Sequence, residues 1–341
     1  MFALQNVADR ELVIGDIEPP AAPGPDEVQI RMKAVALNHI DVWSWRGMAF
    51  AKRADKQIPG AEGAGEIVAV GENVKNLQPG QLVAIYGAIT CGTCDPCLEG
   101  RDNHCTAKQV IYGFHTHGFF QELINVPARL AVPAPDGLPA EQAALAGITF
   151  GTPEHMLFDN AKLKAGETVL VQAGGSGIGS AAIQLIKAVG GIAYTTVGSD
   201  EKGQKAVALG ADEFINYKKE RFEGRIRRLT KKRGVDVVFE HIGPDTFKGS
   251  MLSMRRGGKL VTCGSTTGVM GEINLNLLYQ QQLHLLGSFG CTLENMSSVM
   301  KKLADGTVKP VIDTVLPLEE VESGLNRLEN RDVFGKIIVK L

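Results

Sequence analysis

The segment ETVLVQAGGSGIGSAAIQLIKAVG, residues 167–190, decides the fold class of this chain. A short apolar run leads into a glycine-rich turn, and an apolar stretch of helical character follows it. The turn consists of Gly174, Gly175, Ser176, Gly177 and Ile178. A strict G-x-G-x-x-G pattern would need glycine at 176, where this chain has serine. Because glycines between a strand and a helix let backbone N–H groups approach a pyrophosphate, the segment predicts a dinucleotide-binding loop.

Strands and helices continue to alternate after this loop. GIAYTTVG (191–198), VDVVFEHIG (235–243) and LHLLGSF (283–289) are typical of buried strands, and EKGQKAVALG (201–210) is typical of a helix. Such alternation predicts a doubly wound parallel sheet. We place this α/β domain at residues 140–287.

The rest of the chain has a different pattern. Short alternating runs such as ELVIGDI (11–17) and QLVAIYG (81–87) end at Gly, Pro or Asn, as β-strands do. The C-terminal FGKIIVKL (334–341) returns to the same pattern. We therefore predict a β-rich domain formed by residues 1–139 and 288–341, into which the α/β domain is inserted.

Composition narrows the class of protein. The 341 residues are 44% hydrophobic and 22% charged, which fits a globular enzyme with a full core. The net charge of −2 argues against a dedicated nucleic-acid binder. The N-terminus lacks the basic start and apolar core of a signal peptide, and no apolar run approaches the ~20 residues that span a bilayer. We expect a cytoplasmic protein without a membrane partner.

Four of the six cysteines fall within CGTCDPCLEGRDNHC, residues 91–105. Cys91, Cys94, Cys97 and Cys105 have the short spacing that lets one loop wrap a tetrahedral Zn²⁺. The alternatives are reduced loop thiols or a disulfide pair. Because disulfides are rare in the cytosol, the spacing favours one structural zinc.

The second strand of the α/β domain bears on the choice between NAD and NADP. It ends at Gly198-Ser199, with Lys202 one turn later, where an NAD site usually has a carboxylate for the ribose 2′-OH. A hydroxyl and an ammonium suit a 2′-phosphate instead, so NADP(H) is favoured. Asp200 and Glu201 complicate this interpretation, and Ser199 could simply be the N-cap of a solvated helix.

Together these residues resemble the medium-chain dehydrogenase/reductase superfamily, which includes zinc alcohol dehydrogenases and quinone oxidoreductases. The resemblance covers essentially the whole chain, including ALNHIDVW (36–43), interpreted as a strand, PGAEGAGEIVAVGENV (59–74) and the cysteine segment. It implies a GroES-like catalytic domain and a Rossmann domain, with the active site in the cleft between them.

The resemblance also shows what this chain lacks. In zinc-dependent members a catalytic Zn²⁺ is held by Cys, His and usually another Cys; by position these fall on Asn38, Ala61 and Leu145. Only Glu62 keeps ligand chemistry, and Ile40 stands where alcohol dehydrogenases offer Ser or Thr to relay a proton. Without a Lewis acid, hydride acceptors should already be electrophilic: quinones, or C=C bonds conjugated to a carbonyl.

Cofactor and catalytic roles follow from the resemblance. Residues 174–178 would hold the pyrophosphate, and Ser199, Lys202 and Tyr217, within a pattern that adds Gly198 and Asn216, would surround the adenosine phosphate. The positions expected to line the ribose and nicotinamide are His241, Ile242, Cys263, Gly264, Ser288 and Phe289. Those expected at the nicotinamide end are Asn38, His39 and Thr149, with Asn38 offering an amide hydrogen bond.

The sequence indicates the catalytic acid and base less clearly than the cofactor-binding residues. Asn38, His39, Asp41, Glu62 and His117 are the catalytic candidates. His115 and His117 could rebuild a metal site with Glu62 or Asp41, or one could donate a proton to an enolate; the alternative is a pair of surface histidines beside a turn. Trp43, Trp45 and Phe50 form either an apolar substrate wall or ordinary core.

The resulting prediction is an NADPH-dependent oxidoreductase that transfers hydride to an activated carbonyl, quinone or conjugated alkene without catalytic zinc. Homodimers or homotetramers are common in the family, and LHLLGSFGC (283–291) is a candidate edge. One alternative is a zinc alcohol dehydrogenase with an unusual ligand set. Another is an NADPH-binding protein with a crystallin-like or RNA-binding role, for which the basic run 225–233 would be the contact surface; a solvated amphipathic helix also explains that run.

Overall fold

A computed structural model describes residues 1–47, 56–107 and 110–341 of the chain. The chain forms two compact units. The first comprises Met1–Gly151, Cys291–Gly306 and Ile312–Leu341, and the second comprises Thr152–Gly290 and Thr307–Val311. The predicted fold class, a Rossmann sheet plus a GroES-like β-rich domain, is confirmed. The domain boundaries given above stay a prediction.

The first unit is dominated by strands. Its elements up to residue 151 are β1 (Phe2–Ala8), β2 (Glu11–Asp16), β3 (Glu27–Ala36), α1 (His39–Trp45), β4 (Gly63–Val70), β5 (Leu82–Ile85), β6 (Ala88–Ile89), α2 (Asp95–Leu98), β7 (Val110–Ile111), β8 (Leu123–Pro127), β9 (Ala131–Pro133), α3 (Ala140–Ala143) and a π-helix (Ala146–Gly151). Short 3₁₀ turns lie at Asp102–His104 and Ala128–Leu130.

The second unit alternates strands with helices, as the sequence predicts. Its elements are α4 (Thr152–Glu154), a π-helix (His155–Asn160), β10 (Thr168–Val171), α5 (Gly177–Ala188), β11 (Ile192–Val197), α6 (Asp200–Ala208), β12 (Glu213–Asn216), α7 (Phe222–Leu229), β13 (Val235–Glu240), α8 (Pro244–Ser253), β14 (Met254–Thr262), α9 (Leu275–Gln280) and β15 (His284–Gly287).

The C-terminal part completes the first unit. It contains α10 (Leu293–Ala304), β16 (Ile312–Pro317), a 3₁₀ turn (Leu318–Glu320), α11 (Val321–Glu329) and β17 (Lys336–Lys340). The main sheet has the order β16-β17-β3-β4-β5-β9, and β8 also pairs with β3. Since β17 runs antiparallel to β3, with Val339 opposite Val35, the last strand of the chain joins one of the first.

The six strands of the second unit form one parallel sheet in the order β12-β11-β10-β13-β14-β15. β10 lies in the interior of this sheet, and Val169, Leu170 and Val171 are fully buried. A strand covered by helices on both faces needs such a continuous apolar run. The glycine-rich turn after β10 therefore lies at the carboxyl edge of the sheet, where ligands bind in open α/β sheets.

One local prediction needs correction. ALNHIDVW was interpreted as a strand, but β3 ends at Ala36 and His39–Trp45 form helix α1. The backbone N–H of Asn38 donates to the Asp41 carboxylate at 2.8 Å, and this contact turns the chain into the helix. Around Pro153 the chain passes from the π-helix through α4 into the second π-helix. A change of helical winding satisfies backbone groups near a proline, which has no N–H.

Of the suggested apolar wall, Trp45 is buried in the core of the first unit, and Phe50 lies outside the described residues. Trp43 is half-buried. Across the described ranges, none of the helices combines the length and the apolar character that a bilayer crossing requires.

Candidate functional site

Glu62 lies at the centre of a buried polar cluster in the first unit. It directly precedes β4, and its side chain is 1% exposed. The Oε1 atom accepts from the backbone N–H of Thr149 at 2.6 Å. The Oε2 atom accepts from the Thr149 hydroxyl at 2.8 Å and from the Asn38 Nδ2 at 3.0 Å. Glu62, itself a predicted site residue, thus connects two others, Asn38 and Thr149.

The fourth member of the cluster, Lys336, was missed by the sequence analysis. It is the first residue of β17, and its side chain is 6% exposed. Its Nζ donates to the Leu37 carbonyl at 2.7 Å, the Asn38 Oδ1 at 2.8 Å and the Glu62 Oε2 at 3.2 Å. A buried lysine is rare unless it is paired, so a lysine directly before the apolar run Ile-Ile-Val was the available signal. We call Asn38, Glu62, Thr149 and Lys336 the Asn38 cluster.

Asp41 is hydrogen-bonded to the backbone of Asn38, next to this cluster. Its two carboxylate oxygens accept from the backbone N–H groups of Asn38 at 2.8 Å and Gly60 at 3.1 Å. Burial raises the pKa of Asp41 to about 6, and the two backbone N–H groups and the Lys336 charge only partly offset that rise. Asp41 therefore links the start of α1 to the backbone of Gly60. This structural role accounts for a buried carboxylate at position 41 without any part in catalysis.

The positions of the family's catalytic zinc ligands carry no metal-binding side chains. Asn38 is committed to the cluster, and Ala61 and Leu145 are fully buried apolar residues. A lysine ammonium beside Glu62 adds positive charge where a divalent cation would have to bind. An amide, a methyl group and an isobutyl group do not make a zinc ligand set. These residues do not fit a catalytic zinc.

The predicted histidines lie apart from this chemistry. His39, His115 and His117 are exposed. The Nδ1 atom of His117 accepts from the backbone N–H of Ile58 at 3.1 Å, and that of His115 from the N–H of Ile111 at 3.1 Å. Within the described ranges neither is grouped with Glu62 or Asp41 into a possible metal site. The metal site suggested for them therefore finds no support in these ranges, and a proton-donor role for one of them stays a prediction.

The four cysteines of residues 91–105 do form a metal-sized group. Their Sγ atoms all lie within 4.8 Å of one another, with separations of 3.5 Å (Cys91 and Cys105), 3.9 Å (Cys94 and Cys105) and 4.0 Å (Cys91 and Cys97). Tetrahedral zinc with bonds of about 2.3 Å would place its sulfurs about 3.8 Å apart. A disulfide would need about 2.05 Å. The geometry fits zinc and not a disulfide.

Backbone N–H groups donate to two of these sulfurs and favour the thiolate form of Cys91. The N–H groups of Thr93 and Cys94 donate to the Cys91 sulfur at 3.5 and 3.3 Å, and they lower the pKa of that thiol to about 5. The N–H of Cys91 donates to the Cys105 sulfur at 3.3 Å. In the described part of the chain, these four cysteines are the one group of three or more His, Cys, Asp or Glu side chains that could hold a metal ion.

In the second unit, the glycine-rich turn has the close packing that a pyrophosphate loop needs. A Cβ on Gly174 would lie 2.2 Å from the Thr195 Oγ1, and one on Gly179 would lie 2.3 Å from the Ala173 carbonyl oxygen. Only glycine fits at either place. Ser176 is the N-cap of α5, and its hydroxyl accepts from the Gly179 N–H at 3.0 Å. Serine thus replaces the missing glycine with a cap, and the helix N-terminus still points out of the turn.

The end of β11 carries the residues proposed for the adenosine phosphate. The Ser199 hydroxyl caps α6 by accepting from the Lys202 N–H at 3.3 Å, which bears out the N-cap interpretation. Tyr217 is exposed, and a Cβ on Gly198 would meet its hydroxyl at 2.7 Å. Asp200 accepts from the Asn216 Nδ2 at 2.7 Å and pairs with Lys219. Because Asp200 is neutralised in this way, it opposes a 2′-phosphate less than the sequence suggests.

The remaining predicted cofactor residues follow β13, β14 and β15. Glu240 ends β13, is fully buried, and accepts from the backbone N–H groups of His241 (3.0 Å), Ile242 (2.7 Å) and Gly243 (3.3 Å). The His241 Nε2 lies 2.8 Å from the Gln172 carbonyl oxygen, and burial lowers the pKa of His241, so its ring is neutral at pH 7. The sequence analysis also missed Glu240, a carboxylate closing an apolar strand.

The loops after β13 and β14 are neighbours. A Cβ on Gly264 would lie 3.1 Å from the His241 carbonyl oxygen, and burial raises the pKa of Cys263 to about 12, so this thiol is not reactive. After β15, the Ser288 hydroxyl accepts from the Asn160 Nδ2 at 3.0 Å, and Phe289 is exposed. All these residues lie at the carboxyl edge of the parallel sheet, where dinucleotides bind.

The basic run of α7 is an ordinary solvated helix face. Arg225 pairs with Glu213 at 3.3 Å, Arg228 pairs with Glu220, and Arg233 pairs with Asp236 at 2.6 Å. Phe222 and Ile226 of the same helix are buried. These ion pairs engage three of the basic residues within the fold, which favours the solvated-helix interpretation over RNA binding.

Two family models match the chain. The alcohol dehydrogenase GroES-like domain matches residues 24–136, and the zinc-binding dehydrogenase model matches residues 177–305. The acryloyl-coenzyme A reductase of Sulfurisphaera tokodaii is 29% identical over 324 residues, which cover 94% of each protein. The quinone oxidoreductase of Pseudomonas aeruginosa is 30% identical over 329 residues, which cover 94% of this chain and 93% of that protein.

The chain is also similar to solved structures of a dehydrogenase and a reductase. The crystal structure of an NAD-dependent alcohol dehydrogenase superimposes with a TM-score of 0.95 at 38% identity, over 100% of both chains. A 2-octenoyl-CoA carboxylase reductase in complex with NADP and 2-octenoyl-CoA has a TM-score of 0.88 and 29% identity, over 99% of this chain and 87% of that chain.

Proposed function

The chain belongs to the medium-chain dehydrogenase/reductase superfamily, and from this premise we propose that it is an NADPH-dependent reductase of electrophilic acceptors that works without catalytic zinc. The chain is an oxidoreductase like its relatives. The proposed acceptors are quinones and alkenes conjugated to a carbonyl, including enoyl thioesters.

One observation carries this proposal: of the three positions that correspond to the catalytic zinc ligands of the family, Asn38 is tied into the Asn38 cluster, and Ala61 and Leu145 are buried apolar residues. Lys336 and Glu62 form a buried ion pair in this cluster, and Asn38 is hydrogen-bonded to both. Without a Lewis acid, an unactivated alcohol or ketone lacks the several kcal/mol that a metal supplies to the carbonyl. Substrates that already withdraw electrons from the reacting carbon do not need that help.

NADP(H) is the cofactor that the residues at the end of β11 fit best. Ser199, Lys202 and Tyr217 would offer two hydroxyls and a cation to a 2′-phosphate, while Asp200 is paired with Lys219 and hydrogen-bonded by Asn216. A 29% identical relative was solved with NADP bound. NADPH would supply the hydride.

The protein's own residues would bind and orient the reactants. The α5 N-terminus and Gly174 would receive the pyrophosphate, and the buried neutral His241 and the loop fixed by Glu240 would border the ribose. Asn38 and Thr149 would meet the nicotinamide end. The side-chain donors of the Asn38 cluster are all used in hydrogen bonds within the protein, so the proton for the reduced substrate would come from solvent or from the exposed His117.

One structural zinc is the second proposed component. Cys91, Cys94, Cys97 and Cys105 would hold it as thiolates, and a site closed by four protein ligands supplies stability and no chemistry. Thiol ligands of this kind agree with the cytoplasm, which we propose as the compartment.

We also propose a homo-oligomer, a dimer or tetramer. β15 ends the sheet order of the second unit, and exposed apolar side chains lie on the segment before it: Val269, Met270, Leu275 and Tyr279 are 79%, 83%, 68% and 65% exposed. Apolar groups beside an edge strand favour association with a second copy. Light scattering would read the stoichiometry directly.

NAD-dependent alcohol oxidation is the second candidate, because the 38% identical structure is that of an NAD-dependent alcohol dehydrogenase. One experiment separates the two. Zinc per subunit is measured on repurified protein, and initial rates are then compared for NADPH with a quinone and an enoyl thioester and for NAD⁺ with a primary alcohol. One zinc with NADPH turnover supports the proposal; two zincs with alcohol oxidation would refute it.

A further inference from the structure

Ala173, two residues after the end of β10, has a backbone conformation that alanine rarely adopts. Its φ of +50° lies in the left-handed region, where the Cβ crowds the following carbonyl oxygen. Such a conformation persists only where the surroundings hold it. The Ala173 carbonyl oxygen accepts from the Ser176 N–H at 2.9 Å, and the Ala173 N–H donates to the Thr196 hydroxyl at 2.9 Å. Thr196 therefore holds the start of the glycine-rich turn from the neighbouring strand β11.

The Thr196 hydroxyl begins a series of hydrogen bonds that runs from β11 through Gln172 to α8 and β13. Its proton goes to the Gln172 Oε1 at 2.7 Å, and the Gln172 Nε2 donates to the Ser250 hydroxyl at 2.9 Å. The Ser250 proton goes to the Glu240 Oε2 at 2.6 Å. All four side chains are buried. Every bond points the same way, from Ala173 toward the carboxylate, and we call these five residues the Glu240 network.

Glu240 sets this direction because both of its carboxylate oxygens accept hydrogen bonds. The Oε1 accepts from the backbone N–H groups of residues 241–243, and the Oε2 takes the Ser250 proton. Hydroxyl groups donate or accept, so Thr196 and Ser250 alone would permit either orientation of the Gln172 amide. Because the carboxylate takes the Ser250 proton, Ser250 can only accept from Gln172. The Gln172 Nε2 must then face Ser250, and its Oε1 must face the Thr196 proton.

The turn that this network holds is open to a ligand. Ala173, Ser176, Gly177 and Ile178 are partly exposed. The first N–H groups of α5 have no carbonyl partner within the helix, and the Ser176 hydroxyl satisfies one of them, that of Gly179. The others favour a phosphate. Their direction depends on the conformation at Ala173, because the turn connects that residue to the helix.

We propose that Glu240 is a positioning residue for the pyrophosphate of the cofactor. Through the Glu240 network it holds Ala173 in the left-handed conformation, and the turn then presents the α5 N-terminus to the phosphates. This role rests on the proposed function, since that function makes the glycine-rich turn the pyrophosphate site of NADP(H). The network and the turn both lie within the second unit.

The test compares two ligands that differ in the pyrophosphate. NADP⁺ contains it, and 2′-AMP carries the same adenosine 2′-phosphate without it. Dissociation constants of both are measured by calorimetry on the whole chain. In E240Q the amide oxygen can still accept from residues 241–243, but its N–H₂ would face Ser250 and reverse the network. The affinity for NADP⁺ is expected to fall about fivefold and that for 2′-AMP less than about twofold.

D236N is the matched control. Asp236 is also a buried carboxylate of β13, and it ties this strand to β10 by accepting from the Thr168 N–H at 2.9 Å. It lies near the amino end of β13, away from the turn, so D236N should leave the ratio of the two affinities unchanged. A merely structural role for Glu240 would give E240Q the same unchanged ratio, which would overturn the inference.

A173G provides a second readout. Glycine adopts a φ of +50° without strain, so the turn would no longer need the network. In the A173G background, E240Q is expected to lower the NADP⁺ affinity by less than about twofold. A loss that is equally large in both backgrounds would contradict the role assigned to Ala173.

T196V decides the question even if E240Q fails to fold. It removes the hydroxyl that contacts Ala173 and should reproduce the selective loss of NADP⁺ affinity. Wild type separates this role from the proposed cofactor. If wild type binds neither NADP⁺ nor 2′-AMP, the proposed cofactor is wrong. If wild type binds both and T196V leaves the ratio unchanged, the cofactor stands and the positioning role of Glu240 is wrong.

Discussion

The cysteine lobe at 91–105 and the Asn38 cluster correspond to two zinc sites of the same family, and they have opposite characters. The lobe keeps four sulfurs within 4.8 Å of one another on one partly exposed loop. The cluster joins buried side chains from four distant segments and contains an ion pair between Lys336 and Glu62. The chain thus keeps a donor set that fits a structural zinc and has no donor set for the catalytic one.

The difference between the lobe and the cluster shows what a zinc site and a buried ion pair each require. A zinc site needs several soft ligands and gains its energy from the metal, so a short loop with little core is enough. A buried ion pair gains little net energy over apolar residues, and it persists only where every hydrogen bond is satisfied. The Asn38 cluster meets that condition, because Glu62 accepts four hydrogen bonds and Lys336 donates three.

Removal of a zinc ligand should have the largest effect on the molecule. C97S is expected to lose the zinc and to destabilise the protein by about 3 kcal/mol or more, because metal binding to such a lobe is coupled to its folding. Metal analysis and thermal melting measure the two effects. C263S, a cysteine outside the lobe, is the control and should keep its zinc. A C97S protein that retained full zinc would contradict the assignment.

Removal of the cation should unbalance the Asn38 cluster. K336M leaves the Glu62 carboxylate buried without its partner, and the expected loss in the free energy of unfolding is about 3–5 kcal/mol. Adding E62Q should recover part of that loss, because no buried charge then remains. Denaturant titration of the two variants and of K340M measures the effect; K340M should change by about 0.5 kcal/mol or less, since its pair is exposed.

The pH should act on Asp41 in a way that distinguishes the cluster from the lobe. Burial raises the pKa of Asp41 to about 6, above its ordinary value of 3.8. The folded state therefore binds the proton more tightly than the unfolded state, so ionisation of Asp41 lowers stability as the pH rises from about 4 to about 6. The full effect is about 3 kcal/mol.

D41N isolates this contribution. The difference in the free energy of unfolding between wild type and D41N should fall over that pH range and stay constant above it. The lobe should respond with the opposite sign, because acid protonates thiolates and releases zinc. A difference that is flat from pH 4 to pH 7 would show that Asp41 has an ordinary pKa.

The smallest expected effect concerns the edge of the lobe. Arg129 donates to the Thr90 hydroxyl at 2.9 Å, and a Cβ on Gly92 would lie 2.8 Å from its Nε, so its charge lies beside the loop of thiolates. R129M should speed zinc transfer to a chelator by about threefold. The effect is small because the interaction of the Arg129 charge with the thiolates is weak and screened by salt. R101M is the matched control, because Arg101 pairs with Glu99 within the same segment. Equal rates of zinc transfer in R129M and R101M would show that the charge of Arg129 does not act on the zinc site.

Sequence reasoning was accurate where the chemistry is local. The strand, glycine turn and helix at 167–190 and the four cysteines each lie in a short segment, where spacing alone constrains geometry. The αβ alternation was visible because parallel strands must be followed by helices. The strand assigned to ALNHIDVW was wrong because a capping contact, Asn38 to Asp41, outweighs the β-propensity of Ile, Val and Trp.

By itself, then, the sequence determined the fold class, the cysteine lobe, the dinucleotide loop and the absence of the family's zinc ligands. Only the tertiary structure decided what stands in place of those ligands. Lys336 is 274 residues from Glu62 and 298 from Asn38, and they meet because β17 pairs with β3 in the same sheet as β4. Contacts made through sheet pairing depend on register over the whole unit, and no local spacing records that register.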